Sequence, residues 1–273
     1  METVEQLMKK DGRNQCLTGA VLFLIGGVSL IASLTTEGIS LSWAVLLYGV
    51  PALAAGIYFV QSGWKDLVKA ERTEDMAIST DKGAIAFSSV PAEMYLGKGE
   101  DNGARFFTMD GEAMGDVTEK TTSLKKTAGV LLSLHSANFP LPAVYEVRED
   151  GELLYEIEKK GFSFTTKAYV KQGNGTYVAI MKAEKDKETK QMVYTYQEKD
   201  QVLYQAAGDG DIGRFPVKDE KGTPLVTVKK GAIPVGGADA LQRMHGSVLE
   251  WERRENIPYS LLLFLFFIEH QQQ

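Results

Sequence analysis

The chain has 273 residues, enough for one large domain or two small ones with a buried core. Its net charge of −6 argues against nucleic acid as a partner, because nucleic-acid-binding proteins usually carry an excess of basic residues. Its single cysteine, Cys16, excludes an intrachain disulfide, so nothing in the sequence requires an oxidising compartment.

Two uncharged segments near the N-terminus predict a membrane hairpin. They run from Cys16 to Leu34 and from Leu41 to Val60, and each has about the 20 apolar residues that a transmembrane helix needs. The short connector between them leaves room only for a tight reversal. A cleaved signal peptide is the alternative for the first segment, but its length exceeds the usual apolar core of about 7–15 residues.

Basic residues stand on both sides of this predicted hairpin and are absent from its connector, so the positive-inside rule places both termini in the cytoplasm. The protein is therefore expected in the cell membrane as a multi-pass protein, with its later residues on the cytoplasmic side. The predicted parts are a cytoplasmic segment 1–15, a transmembrane hairpin 16–63, a juxtamembrane linker 64–74 and a β domain 75–273. The predicted membrane-interface anchors are Trp43, Trp64, Lys65, Lys69 and Arg72.

Small residues four apart in the two segments allow the predicted helices to approach closely. Ser29 and Ser33 form one such pair, and Ala52 and Gly56 form another. The alternative is that small residues are simply common in membrane helices. Pro51 predicts a bend in the second helix.

Beyond the linker the hydrophobic pattern changes to alternation, which predicts β-strands. Asp-Gly and Asn-Gly pairs between the strands, such as Asp150-Gly151, supply the positive φ that tight hairpin turns need. The pattern indicates an antiparallel meander and disfavours a doubly wound nucleotide-binding sheet. The predicted strands are Ala84–Phe87, Arg105–Met109, Val144–Glu149, Glu152–Glu158, Phe162–Val170, Thr176–Lys182, Gln191–Gln197, Gln201–Ala206 and Leu225–Lys229.

An apolar run, Tyr259 to Ile268, closes the chain. A helix on this run has no polar face and must be enclosed, yet at about 15–20 Å it is too short to cross a bilayer. A closed antiparallel barrel around the helix would bury it and would also remove every strand edge. The alternative is one more strand, because short apolar runs are ambiguous by periodicity. The predicted barrel-threading residues are Leu261, Leu262, Leu263, Phe264, Leu265, Phe266, Phe267 and Ile268.

The segment Ala143 to Ile157, with two strands around an Asp-Gly turn, resembles the repeating hairpin of tubby-like and LURP-one-related domains, to which phospholipid scramblases are related. A second hairpin around Asn174-Gly175 and a final strand, Val248 to Glu252, before the apolar run extend the similarity. The resemblance implies a closed barrel of roughly twelve strands over residues 75–273, threaded by the C-terminal helix. The expected fold is therefore mainly β, preceded by two transmembrane helices.

The same resemblance implies a role at membranes, since tubby domains bind phosphoinositides and scramblases are linked to lipid movement. The basic lipid-binding motif of tubby has no match here, and an acidic β domain is expected to bind anionic lipid poorly in general. We expect a non-catalytic, membrane-anchored module that presents its barrel at the cytoplasmic face for lipid or protein binding. The alternative is scramblase-like movement of phospholipid between leaflets. The expected partners are the lipid bilayer and an anionic phospholipid or a membrane protein.

Residues for catalysis or metal binding are not found in a recognisable pattern. His135, His245 and His270 are far apart in sequence and lack the spacing of a metal site. A partial calcium-loop pattern at Asp209 to Glu220 has Arg214 where glycine is required, which favours a polar hairpin turn. We therefore expect no cofactor and no enzymatic activity.

Overall fold

The computed structural model describes residues 4–35, 39–74, 84–99, 103–120, 143–160, 166–199 and 201–270. The chain divides into two compact units, Met1–Ala77 and Ile78–Gln273. The first unit is helical and the second is mainly β.

The first unit consists of two long helices, α1 (Val4–Thr35) and α2 (Ile39–Glu74). The polar residues that precede the first apolar segment belong to α1, and the predicted juxtamembrane linker is the last part of α2. Pro51 lies inside α2. The two helices are antiparallel, because glycines early in α1 contact glycines late in α2.

The helices approach each other along glycines spaced seven residues apart. A Cβ atom added to Gly19 would lie 2.7 Å from the Gly56 carbonyl oxygen and from the Val60 amide nitrogen, so the backbones themselves are in contact. Of the predicted small pairs, Gly56 and Ser29 lie on this contact. This seven-residue glycine period is visible in the sequence, but the small-residue pairs predicted above do not capture it. The three facing pairs are Gly12 with Gly63, Gly19 with Gly56 and Gly26 with Gly49.

One segment among the described residues, Met8–Ala32, is long and apolar enough to cross a membrane. Of the most apolar 18 residues in this segment, 11% are buried, whereas a core helix of a globular domain is mostly buried. The second predicted span is not shown, and the side chains of residues 39–48 lie outside the described set.

The second unit contains fourteen described strands, one short helix and one apolar helix. The short helix is α3 (Asp239–Gln242) and the apolar helix is α4 (Tyr259–Glu269). The strands are β1 (Ile85–Ser89), β2 (Glu93–Lys98), β3 (Ala104–Thr108), β4 (Ala113–Glu119), β5 (Ala143–Glu149), β6 (Glu152–Lys159), β7 (Thr166–Gln172), β8 (Tyr177–Lys185), β9 (Met192–Glu198), β10 (Gln201–Gly208), β11 (Arg214–Asp219), β12 (Pro224–Lys230), β13 (Gly246–Trp251) and β14 (Glu255–Pro258).

Twelve of these strands close into an antiparallel barrel in the order β10-β11-β12-β13-β2-β3-β4-β5-β6-β7-β8-β9. The prediction of a mainly β fold with a closed antiparallel barrel is confirmed. The remaining strands, β1 and β14, pair with each other as a separate ribbon. At the β5–β6 turn both Asp150 (φ 50°) and Gly151 (φ 85°) have positive φ, as a type I′ hairpin turn requires.

The strand predictions need four additions and one correction. The alternation pattern misses β2, β4, β11, β13 and β14, of which β13 is predicted through the family resemblance instead. The predicted polar turn from Asp209 to Glu220 is wrong in part, because Arg214–Asp219 forms β11 between two turns. Residues 162–165 of one predicted strand lie outside the described residues, and the rest of that strand belongs to β7. The C-terminal run is a helix, so the alternative of one more strand is wrong.

Candidate functional site

Helix α4 occupies the interior of the barrel. Each residue from Leu261 to Ile268 is at most 6% exposed and belongs to the same core cluster as the inward-facing side chains of the strands. Its aromatic partners come from β5 on one side of the barrel and from β9 and β10 on the other, so the strands surround it. The ring pairs are Phe266 with Tyr145 (centroids 4.8 Å apart), Phe264 with Tyr196 (6.2 Å) and Tyr204 (6.1 Å), and Phe267 with Tyr194 (6.4 Å).

Polar side chains meet the C-terminal end of α4. The Nζ atom of Lys230 donates a hydrogen bond to the Ile268 carbonyl, and Lys159 Nζ lies 3.3 Å from the His270 carbonyl oxygen, which accepts its hydrogen bond. Lysine at this end also complements the negative end of the helix dipole. The Ser247 hydroxyl donates a hydrogen bond to the Glu269 carboxylate. The two lysines thus satisfy carbonyl groups at the end of α4 that have no partner within the helix.

Burial shifts the protonation equilibria of this cluster. Desolvation lowers the pKa of Lys230 to about 8, and the attraction of Glu269 only partly offsets it. Desolvation also raises the pKa of Glu269, against the opposing effects of the Ser247 hydrogen bond and of Lys230. The Lys230 Nζ atom also lies 5.5 Å from the centroid of the Phe215 ring and 5.7 Å from the centroid of the Tyr194 ring. The cluster therefore closes one end of the barrel, and its groups already have protein partners.

The barrel wall has a weak seam between β4 and β5. Among the described residues the two strands form two residue pairs, Thr118 with Glu146 and Glu119 with Tyr145, and the Lys120 amide donates to the Val144 carbonyl at 2.8 Å, whereas β5 and β6 pair along their full length. Beyond these pairs, towards the N-terminal end of α4, the described residues of β4 and β5 form no further pairs, which leaves an opening in the ladder. Strand β1 approaches the opening, where the Phe87 ring packs on Gly115 and on Phe106 (ring centroids 6.5 Å apart).

A cavity of about 120 Å³ lies behind this opening and reaches α4. Its walls are mostly apolar, and its polar side chains are Asp116, Arg148, Glu149 and Tyr259. Burial raises the pKa of the Tyr259 hydroxyl to about 12, and so do its hydrogen bond to the Glu149 carboxylate and the nearby Asp150 carboxylate. The apolar walls are formed by Ala86, Phe87, Phe106, Met114, Val117, Val147, Leu262 and Leu263.

Salt bridges on the outer face reinforce the seam where the hydrogen-bond ladder is short. Lys120, directly after β4, contacts Glu146 on β5 at 2.8 Å and Glu156 on β6 at 3.0 Å. Arg148 also binds Glu146, and Lys171 binds Glu156. The hydrogen bonds from Lys120 and Arg148 outweigh burial and lower the pKa of Glu146. Burial alone would raise the pKa of Glu156, but its two lysine partners lower it.

The predicted membrane-interface anchors all lie on α2. Trp64 is 66% exposed, Lys65 is exposed and Lys69 is half-buried. Trp43 and Arg72 belong to the same helix, but their side chains lie outside the described set. The threading residues predicted from the sequence are those of α4, inside the barrel.

The remaining candidate residues do not assemble into a site. Among the described residues, no group of three His, Cys, Asp or Glu side chains could hold a metal ion. His135 lies outside the described residues, His245 is exposed, and the His270 ring stacks on Phe266 at 5.0 Å. Asp209 caps its own turn by accepting the Asp211 amide at 2.9 Å, while Glu220 lies beyond the other end of β11.

Comparison with known proteins gives one structural similarity. No protein-family model matches the chain, and no curated protein sequence matches it. A solved X-ray structure of a protein from Arabidopsis thaliana is similar at 8% sequence identity with a TM-score of 0.37. The similarity covers 68% of this chain and 96% of that one.

The cavity and the seam were not predicted from the sequence. Their signal there is weak: β4 contains Gly115 and Asp116, two residues that strands disfavour. The pairing between β4 and β5 depends on how the barrel closes, which no local pattern encodes. The salt bridges around Lys120 likewise join residues more than twenty positions apart.

Proposed function

We propose that this protein is a non-catalytic, membrane-anchored binding module of the tubby-like type. In this proposal α1 and α2 cross the bilayer as a hairpin, both termini are cytoplasmic, and the barrel binds a lipid or a membrane protein at the cytoplasmic face. The proposal rests on the apolar outer surface of the hairpin, on its basic flanks and on the family resemblance of the barrel.

The exposed apolar surface of the hairpin carries the proposal. Because Gly19 faces Gly56 and Gly26 faces Gly49, the exposed apolar residues of α2 lie level with those of α1. A hairpin with apolar side chains on both outer faces needs an apolar surrounding, which a bilayer supplies. The residues are Leu17, Val21, Phe23, Leu24, Ile25, Val28 and Ile31 on α1, and Val50, Ile57, Tyr58 and Val60 on α2.

The filled barrel supports binding at an outer surface rather than transport of a large ligand inside. Helix α4 takes the space that other barrels use for a ligand, and the cavity of about 120 Å³ at the seam is too small for a phospholipid. Attachment to the membrane raises the local concentration of the barrel there, so weak contacts with an anionic phospholipid or a membrane protein would suffice.

Cysteine labelling in intact cells tests the hairpin and its orientation. In a Cys16→Ser background, single cysteines replace Gln6, Glu37 or Lys69, and a membrane-impermeant maleimide is added from outside. We expect labelling at position 37 only, and labelling at 6 and 69 after permeabilisation. Labelling at position 6 or 69 from outside would overturn the orientation, and release of the protein by alkaline carbonate would overturn the anchoring.

The role of the barrel is tested in reconstituted membranes. Hydrogen exchange of the full chain in phosphatidylcholine nanodiscs, with and without phosphatidylserine or a phosphoinositide, should show protection on the barrel if it binds anionic lipid. Unchanged exchange would leave a protein partner, which crosslinking in cells would identify. A fluorescent-lipid assay in proteoliposomes addresses the scramblase alternative, which is excluded if lipid movement is no faster than in protein-free vesicles.

A further inference from the structure

The cavity at the β4–β5 seam differs from an ordinary packing defect in three respects. It lies where the ladder between the described residues of the two strands stops, so the described part of the barrel wall leaves it open. It extends from the opening to Leu262 and Leu263 on the enclosed helix. Its apolar walls lie behind a charged mouth, the arrangement that ligand pockets use to bind an apolar body and orient a polar head.

The volume sets the size of the group that fits. An apolar cavity of about 150 Å³ is known to hold benzene, so about 120 Å³ with an open mouth suits a benzene-sized ring or an alkyl chain of about four carbons. Water is a poor occupant of the inner part, because Phe106, Val147 and Leu262 offer it no hydrogen-bonding side chains.

The charges at the mouth select the head group. Asp116 and Glu149 line the cavity, and Asp150 is close enough to act on the Tyr259 hydroxyl. Arg148 is the only basic side chain that lines the described cavity, and the Glu146 carboxylate already binds it at 2.8 Å. Asp116 is paired less closely, at 3.6 Å from Arg105, and its side chain is 43% exposed.

One feature of the site would favour a negatively charged ligand instead. The N-terminus of α4 faces the cavity through Tyr259 and Leu262, and a helix N-terminus carries about half a positive charge. The Tyr259 amide of that terminus already donates to the Ala84 carbonyl at 3.1 Å. The three carboxylates Asp116, Glu149 and Asp150 still outweigh this half charge together with two arginines, because Arg148 is neutralised by Glu146, a fourth carboxylate, and leaves Arg105, 3.6 Å from Asp116, as the opposing cation.

We propose that the seam cavity is a binding site for a small organic cation, with an apolar ring or short alkyl chain inside and a protonated amine at the Asp116 and Glu149 carboxylates. This site is independent of the membrane role proposed above, since it involves only residues of the barrel unit. The ligand would occupy the space beside α4 that the barrel side chains leave unfilled.

Three probes with one ring and different heads test the proposal. The full chain in phosphatidylcholine nanodiscs is titrated with 4-fluorobenzylamine, 4-fluorobenzyl alcohol or 4-fluorobenzoate at pH 7, and binding is followed by ¹⁹F transverse relaxation. Empty nanodiscs correct for partition into lipid. We expect the amine to bind roughly three- to tenfold more tightly than the alcohol, and the benzoate to bind most weakly. A preference for the benzoate, or no binding of any probe, would overturn the proposal.

Two substitutions separate the apolar body from the charged mouth. Ala86→Leu places a larger side chain in the cavity wall and should weaken the amine and the alcohol alike, by at least tenfold. The control Ala113→Leu makes the same change at an exposed position of β4 outside the cavity and should weaken neither. Equal binding by the two variants would show that the probes bind elsewhere.

The head-group test uses an exposed carboxylate, so folding is not at risk. Glu149→Gln should reduce the amine affinity roughly three- to tenfold and leave the alcohol unchanged. Glu152→Gln, on the neighbouring strand and outside the cavity lining, should leave both unchanged. If Glu149→Gln leaves the ratio of amine to alcohol affinity unchanged, the assignment of a cationic head is wrong.

Discussion

The two units of this protein pack an apolar helix against its neighbours in opposite ways. In the hairpin, α1 and α2 touch where side chains are missing, and Gly19 and Gly56 bring the two backbones into direct contact. In the barrel, α4 is held by bulky rings that reach inward from the strands, such as Tyr145 and Tyr196. The contact between α1 and α2 should be weakened by larger side chains, whereas the contact between α4 and the barrel should be weakened by smaller ones. Substitutions that add or remove side-chain volume should therefore have opposite effects in the two units.

The largest effect is expected from removing a ring inside the barrel. Phe264 is fully buried between Tyr196 and Tyr204, so Phe264→Ala leaves a cavity and should lower the free energy of unfolding by about 3–5 kcal/mol. Urea unfolding of the full chain in detergent measures this through Trp251 fluorescence, with Trp43 and Trp64 replaced by phenylalanine. The control Ile212→Ala, at a side chain that is 73% exposed, should change it by less than about 0.5 kcal/mol. Equal effects would show that α4 does not contribute to the core.

The hairpin should respond to added volume instead. Gly19→Leu forces the helices apart and should weaken their contact by about 1–3 kcal/mol or more, although leucine favours the helix itself. Gly27→Leu is the matched control, because a Cβ at Gly27 meets nothing within 4 Å.

Disulfide formation between Cys16 and a cysteine at Val60 measures the hairpin contact, since the Cys16 thiol lies 3.7 Å from the Val60 carbonyl oxygen. We expect oxidation to crosslink the Gly27→Leu protein and to fail in the Gly19→Leu protein. Efficient crosslinking in both proteins would contradict the backbone contact.

These two kinds of packing also explain which parts of the fold the sequence predicts. Alternation identifies strands that have one buried and one exposed face, such as β5. It misses β2, which is buried on both faces because Tyr95 packs outward beneath Leu241 of α3. It misses β11 because Pro216 interrupts the pattern between two turns. The glycine contact of the hairpin can be predicted from the sequence, but only if the seven-residue spacing of glycines is noticed in both helices.

The candidate site is the part that the sequence predicts least. The apolar run of α4 predicts a helix that must be enclosed by the protein, because no face of the helix is polar. Nothing in the run shows that the pairing of β4 with β5 stops beside its first turn. The cavity depends on the register of β4 with β5 and on the position of Phe87 of β1, and both are set by tertiary packing.

A third prediction concerns the polar end of α4, where burial works against charge. The pKa of Lys230 is about 8 in the folded barrel, below its ordinary value of 10.5. Between these values the folded state holds fewer protons than the unfolded state, so stability rises with pH. From pH 7.5 to 9.5 we expect the free energy of unfolding to rise by about 1–2 kcal/mol more in the wild type than in Lys230→Met. Parallel pH profiles would show that Lys230 is not buried as described.

The smallest effect is expected at the seam, on the outer face, where solvent weakens the interactions. Lys120 bridges Glu146 and Glu156, but its side chain is 54% exposed, so Lys120→Met should cost only about 1 kcal/mol at pH 7. Both carboxylates have lowered pKa values in the folded state, so the stability they contribute is present above their ordinary pKa of 4.5 and is lost as the pH falls through the folded values. The difference between Lys120→Met and the wild type should therefore shrink in acid, whereas the exposed Lys185→Met should show no difference at any pH. A difference that persists at pH 3 would mean that Lys120 acts through packing rather than charge, and that the short ladder between β4 and β5 is not reinforced by its ion pairs.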